Sequence, residues 1–178
     1  GGGANELALA SIGPSSGTYT ATSNANNISV YIAAGSGGGG SRDSPGQGNG
    51  GNGGKAGYGM YSYSIPGHPF SQPYSVGAGG PRGVPGQGPG SSGQQSSLAN
   101  VATVNAGSGG QANNGVAGSD GTAPSATIDW TDSPAAVQKL VIPGHPGAGG
   151  QGRTAPGQGS GQDGSNGHLM IYENTGGA

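Results

Sequence analysis

Glycine falls on every third residue in five separate stretches of this chain. Gly48, Gly51, Gly54 and Gly57 form one, and Gly77, Gly80, Gly83 and Gly86 a second. Gly115, Gly118 and Gly121 form a third, Gly144, Gly147 and Gly150 a fourth, and Gly161, Gly164 and Gly167 a fifth. Three is the period of the left-handed polyproline II helix, with ~3 residues per turn and ~3.1 Å rise. Such a helix makes no internal hydrogen bonds, so its N–H and C=O groups point outward and need partners. One glycine per turn lets a neighbouring helix approach closely on that side. Adjacent helices then exchange N–H···O=C bonds, supported by weaker Cα–H···O contacts. The period predicts a bundle in which laterally bonded backbone does the work of an oily core.

Composition leaves few alternatives. The 178 residues include 45 Gly and 13 Pro, only 29% are hydrophobic and 7% are charged, against ~25% charged in ordinary soluble domains. Too few large side chains exist to fill a conventional core. A chain of this kind stays disordered unless its backbone polar groups find partners. Collagen is the other Gly-x-x architecture, but it needs long unbroken triplets rich in proline. Here each run stops after three or four triplets, and intervening residues such as Asn49, Lys55, Tyr58 and Asp163 are mostly not proline.

Between the glycine runs lie short segments of β character. Glu6 to Ile12 is apolar on both faces, and Gly17 to Thr22 is β-branched and aromatic. Asn27 to Ala34 alternates, with Ile28, Val30 and Ile32 on one face. Met60 to Ile65 places Tyr61, Tyr63 and Ile65 on one face. Gln72 to Val76, Leu98 to Val104, Ala126 to Thr131, Val137 to Ile142 and His168 to Glu173 complete the set. Pro66 to Pro69 reads as a turn. One helical turn over Pro134 to Lys139 is the only helix expected. The predicted fold class is mostly irregular plus β: a bundle of polyglycine/polyproline II-type helices with short strands and hairpins and little or no α-helix. Residues 1–178 read as a single glycine-rich domain, with an N-terminal β segment (1–34), alternating Gly-rich runs and β-like segments (35–167), and a closing strand and tail (168–178). The opening Gly1-Gly2-Gly3 fits a piece of a longer chain.

Two short motifs repeat. Ile-Pro-Gly-His-Pro occurs at Ile65 and again at Ile142, and Pro-Gly-Gln-Gly occurs at Pro45, Pro85 and Pro156. Both read first as turn chemistry, because Pro sets φ and Gly frees it.

Signatures of catalysis are weak. Gly13-Pro14-Ser15-Ser16-Gly17 matches G-x-S-x-G, but a nucleophile elbow needs a strand before it and a helix after it. Gly54-Lys55 lacks the Ser or Thr of a phosphate-binding loop. Asp129 and Asp132 flank Trp130 without the scaffold of a glycosidase cleft. His68, His145 and His168 have no partners at metal-ligand spacing; His68 and His145 could meet only if the two Pro-Gly-His-Pro loops are adjacent. No cofactor is expected, and the chain reads as a non-enzyme. With five Lys plus Arg and a net charge of −2, no basic stripe points to nucleic acid. The longest apolar runs are far too short to span a bilayer. The absence of Cys excludes a disulfide framework.

Three stretches carry a family resemblance. They are Ile28-Ser29-Val30-Tyr31-Ile32-Ala33-Ala34 running into Gly35-Ser36-Gly37-Gly38-Gly39-Gly40, then Pro73-Tyr74-Ser75-Val76-Gly77-Ala78-Gly79-Gly80, and the close from Asp163-Gly164-Ser165-Asn166-Gly167 through His168-Leu169-Met170-Ile171-Tyr172-Glu173. In this order they resemble the glycine-rich domain near the C-termini of bacteriophage tail fibres, and the tail-tip adhesins of T-even-like phages. The likeness runs from about Glu6 to Glu173. It implies polyglycine helices at the centre and loops that bind a bacterial surface receptor, either an outer-membrane protein or a polysaccharide. It further implies a place at the distal tail fibre of a virion, joined to the rest of the fibre, and is compatible with a homotrimer. An ice-binding bundle and a purely structural fibre or surface-layer module are the alternatives. The former would need a flat face of repeated small residues, Thr above all.

Recognition belongs to loops on a rigid scaffold, and Tyr offers large contact area at low entropic cost. The expected receptor-binding residues are Tyr58, Met60, Tyr61, Tyr63, His68, Phe70, Tyr74, Trp130 and His145. The alternative for Tyr61 and Tyr63 is that they anchor their hairpin.

Overall fold

Glycine lets the run 34–41 accept neighbours on every side, and the fold is built around it. The computed structural model describes residues 5–121, 150–155 and 157–175. Residues 30–41 are buried without interruption. The backbone N–H groups of residues 34–40 go to three different neighbours in rotation. Ala34, Gly37 and Gly40 donate to Gly57, Gly54 and Gly51; Gly35 and Gly38 to Gln94 and Ser91; Ser36 and Gly39 to Ser165 and Gln162. Its carbonyls rotate likewise. Gly80 and Gly83 donate to Ser36 and Gly39, Gly107, Gly110 and Asn113 to Gly35, Gly38 and Ser41, and Gly150 and Arg153 to Gly37 and Gly40. Rotation among three partners is the signature of three residues per turn. The descending or ascending residue numbers show that the first three neighbours run antiparallel to the centre and the other three parallel.

These six neighbours bond to one another and close a ring. In order around the centre they are 50–57, 105–113, 90–95, 77–83, 161–167 and 150–153. Gly51, Gly54 and Gly57 donate to Gln111, Ser108 and Asn105; Gly90 and Gly93 to Gly110 and Gly107; Ser91 and Gln94 to Pro81 and Ala78. Gly161, Gly164 and Gly167 donate to Gly83, Gly80 and Gly77; Gln162 donates to Gln151; and Gly50 and Gly53 donate to Arg153 and Gly150. An eighth run, 115–121, lies outside the ring in the groove between 50–57 and 105–113, where Gly115, Gly118 and Gly121 donate to Asn49, Asn52 and Lys55. The predicted bundle is therefore present, as a hexagonal array of threefold helices.

At one end the helices become strands as large side chains replace glycine. Among the described residues eight strands form two antiparallel sheets. In chain order they are β1 (Asn5–Ile12), β2 (Ser15–Thr20), β3 (Asn27–Ala33), β4 (Tyr58–Ser64), β5 (Ser71–Val76), β6 (Ser96–Leu98), β7 (Ala102–Val104) and β8 (His168–Asn174). One sheet has the order β1-β8-β3-β4 and the other β2-β5-β6-β7. Strand order continues helix order. β3, β4 and β8 extend the centre and its neighbours 50–57 and 161–167, while β5, β6 and β7 extend the ring members 77–83, 90–95 and 105–113. The conventional core lies between the sheets. Ile28, Val30, Ile32, Leu169 and Ile171 from the first pack with Tyr19, Val76, Leu98 and Val104 from the second. The face of the first sheet turned away from that core carries a second cluster of Tyr31, Met170 and Tyr172, with Met60 packed against it.

Three expectations change. Leu98 to Val104 is not one strand but the hairpin β6–β7, turned by Asn100 at φ 63°, a left-handed conformation that Asn tolerates better than most residues. Gly86 closes no triplet; at φ 83° it sits in a turn beyond the helix. The triplet pairs Gly90/Gly93 and Gly107/Gly110 and the central run itself are additional bundle helices. The strands expected at Ala126 to Thr131 and Val137 to Ile142, and the turn at Pro134 to Lys139, lie outside the described residues.

Candidate functional site

Strand alternation separates the aromatic residues of β4. Tyr61 and Tyr63 point into the space between the sheets, where Tyr61 is buried and Tyr63 packs on the core. Burial raises the Tyr61 phenol above its usual pKa. Phe70 is buried in the same core, its ring 5.7 Å from that of Tyr63 and tilted by 33°. Tyr74 is half-buried against this core, with its phenol over Gly17. Met60 faces the opposite way, onto Tyr31, Met170 and Tyr172. Tyr58 and His68 are exposed. His68 Nε2 lies 2.8 Å from the Ala25 carbonyl oxygen, a contact that ties the β4–β5 connection to the β2–β3 connection. Trp130 and His145 lie outside the described residues, as does any meeting of His68 with His145. The aromatic stretch therefore divides between packing and surface: Tyr61, Tyr63, Phe70 and Tyr74 support the hairpin, while Tyr58 and His68 offer contact area at the sheet end.

The opposite end of the bundle gathers its turns. Every helix that leaves the sheets reverses there, through 42–49, 84–89, 112–115 and the segment after Arg153. All three Pro-Gly-Gln-Gly copies fall in these reversals, although Pro156 of the third lies outside the described residues. Ser44 accepts from the Gln47 N–H, and Val84 from the Gln87 N–H. Pro85 followed by Gly86 at positive φ makes the second a type II turn. In the third copy Gly157 has φ 91°.

Residues 41–43, at the end of the central helix, tie the three turns together. Ser41 Oγ lies 2.8 Å from Asp43 Oδ1 and 3.0 Å from the Gly88 carbonyl oxygen, two acceptors that share its single hydrogen. Arg42 pairs with Gly159 through both backbone groups, and its Nη2 donates to the Pro45 carbonyl at 2.7 Å. Asp43 Oδ1 accepts from the Gly86 N–H at 3.1 Å, and Oδ2 from the Asn113 side-chain amide at 2.8 Å. Hydrogen bonds from Asn113, Gly86 and Ser41, in that order of weight, hold the Asp43 carboxyl below its usual pKa. Gln47, Gln87 and Gln158 are exposed, and their side-chain amides form no hydrogen bond among the described residues. Reading the sequence alone assigned these repeats to turn formation; the signal that they share one end was the repeated motif, which carries no spatial information.

Apart from the exposed Glu6, the described acids have structural partners. Glu173, buried between the sheets, accepts from the Tyr19 hydroxyl and from the Thr22 N–H and hydroxyl. Asp163 and Asp120 accept backbone N–H groups of Arg82 and Lys55. Among the described residues no three His or acidic side chains gather as a metal site.

A family model for a glycine-rich domain matches residues 11–178. No curated protein matches the chain.

Proposed function

This chain belongs to the glycine-rich domain family, and on that premise we propose that it is the receptor-binding adhesin domain of a bacteriophage tail fibre. The domain attaches the virion to a protein or polysaccharide on the host surface and performs no catalysis. The observation that carries the reading is the polarity of the scaffold. A laterally hydrogen-bonded helix array separates an end built of sheets from an end built only of turns. A rigid rod with exposed loops suits contact with a distant surface, because recognition loops gain from a scaffold that does not deform. The use of Asp43, Asp120, Asp163 and Glu173 as hydrogen-bond acceptors for the fold supports a non-catalytic role. Tyr58 and His68 supply contact area at the sheet end. The domain sits at the distal end of the fibre, outside the cell, and joins the remainder of that fibre.

Ice binding finds less support: none of the described bundle helices contains Thr, and their outward residues mix amides, acids and bases. The test is a fluorescent fusion of the domain applied to a panel of intact bacteria, alongside a thermal-hysteresis measurement. Saturable binding to some strains without thermal hysteresis is expected. Binding to none of them would overturn the adhesin reading.

A further inference from the structure

We infer that the turn end of the bundle is a carbohydrate-binding surface, in which Gln47, Gln87 and Gln158 hydrogen-bond a neutral surface polysaccharide. The inference rests on the adhesin reading and names its ligand class. Pro at the second position and Gly at the third explain the turns. Nothing in turn geometry demands Gln at the next position, yet it stands there in all three copies. Each of the three amides is exposed and unspent within the described residues. Some amides of the bundle are consumed by the fold, as where Asn166 accepts from the Gly79 N–H and Asn52 from the Gly152 N–H, while the exposed amides of Gln111, Gln151 and Gln162 stand outside the repeated motif.

The turns that carry these amides are pre-ordered. Ser41, Arg42 and Asp43 bond to all three from the end of the most buried helix, so little ordering cost remains for binding. The chemistry selects the ligand. A primary amide donates and accepts at once, which matches hydroxyl groups that do the same. The turn segments 42–49, 84–89, 112–115 and 154–160 contain no aromatic residue, so a ligand there is held by amides, hydroxyls and backbone groups. The Arg42 guanidinium is engaged by the Ser44 and Pro45 carbonyls, which leaves it less able to take an anionic ligand. Single sites of this kind bind weakly, and several domains on one particle would supply the avidity.

The experiment uses the intact chain as a fluorescent fusion, as wild type, as the triple variant Q47A/Q87A/Q158A and as the triple variant Q47E/Q87E/Q158E. Targets are cells of a strain that the wild type binds, the same cells genetically stripped of their surface polysaccharide, and that polysaccharide purified. The wild type should bind the intact cells and the purified polysaccharide and lose the stripped cells. Both variants should melt at the wild-type temperature and bind at least tenfold more weakly. The Glu variant, closest in shape, decides the matter should the Ala variant melt early. Undiminished binding by the Glu variant would overturn the site while leaving the adhesin reading intact. Equal binding of wild type to stripped cells would overturn the ligand class in favour of a protein receptor. A wild type that binds no strain at all removes the adhesin reading, and this inference with it.

Discussion

Two glycines illustrate what a missing Cβ does here. A Cβ on Gly38 would drive into the Pro81 carbonyl, within the ring that encloses the central helix. Gly46, in the first Pro-Gly-Gln-Gly turn, has open space around its Cβ position and is not at positive φ. Gly38→Ala should therefore cost ~3 kcal/mol or more, since a lattice bonded on all sides cannot relax. Gly46→Ala should fall within ~1 kcal/mol of wild type, on the stabilising side, by restricting the unfolded chain. Urea denaturation of the two variants checks the contrast. Asp43 makes a separate prediction. Its carboxyl is held below the usual range by Asn113, Gly86 and Ser41. Its stabilising effect is complete above the unfolded-state pKa and is lost as the pH falls through the lower folded-state value. Melting temperature against pH should fall on the acid side for wild type. Asp43→Asn should start lower at neutral pH and fall less steeply; parallel curves would show that the network contributes nothing.

At the scale of elements, a helix array must end somewhere, and its edges expose N–H groups with no next helix to accept them. Side-chain oxygens stand in. Asn166 and Asp163, three residues apart, accept from Gly79 and Arg82, also three apart. Ser108 Oγ accepts from Ser119 and Asp120 from Lys55, and inside the ring Ser36 Oγ accepts from Ser165. The polar residues between the glycines thus extend the lattice instead of merely solvating it. The two sheets are joined by an analogous device. The Glu173 carboxylate on β8 receives the Tyr19 hydroxyl of β2 and the Thr22 N–H beyond it. Burial first, then the bond and charge of Glu173, raise the Tyr19 pKa far above its usual value, so the phenol stays protonated as the donor. Glu173→Ala would leave the buried Tyr19 hydroxyl without its acceptor and release the Thr22 N–H and hydroxyl, at a cost of about 1–3 kcal/mol. A melting point unchanged from wild type would show that the clip is dispensable.

For the molecule as a whole, stability comes from two different sources: backbone hydrogen bonding in the bundle and apolar burial on the two faces of the sheet region. Exposing polar surface lowers the heat capacity of unfolding and exposing apolar surface raises it. Calorimetry should give a value per residue well below the ~12–15 cal/mol/K of ordinary globular proteins. Amides of residues 34–40 should exchange slowest, because each is bonded inside a closed ring; faster exchange there than in β3 would contradict the array as the stable centre.

The glycine triplets and the strand segments were legible in the chain because both follow from local repeat: three residues per turn in one case, alternation of faces in the other. The seams at Gly51, Gly54 and Gly57 and at Gly161, Gly164 and Gly167 fall where the period places them, and Ile28, Val30 and Ile32 face the core as their alternation predicts. The period could not say which run is central. A ring helix needs glycine only toward its neighbours, whereas 34–41 is enclosed on every side and carries small residues throughout, which erases the triplet signature. Nor could local pattern divide Tyr58 and His68 from the buried Tyr61 and Phe70, since burial depends on which sheet closes over which face. The amino-acid sequence by itself determined that backbone, not side chains, would have to hold most of this protein together. Tertiary structure alone decided the order of the helices and brought turns from residues 45, 85 and 157 to one end, because lateral hydrogen bonds between extended helices join segments regardless of their separation along the chain.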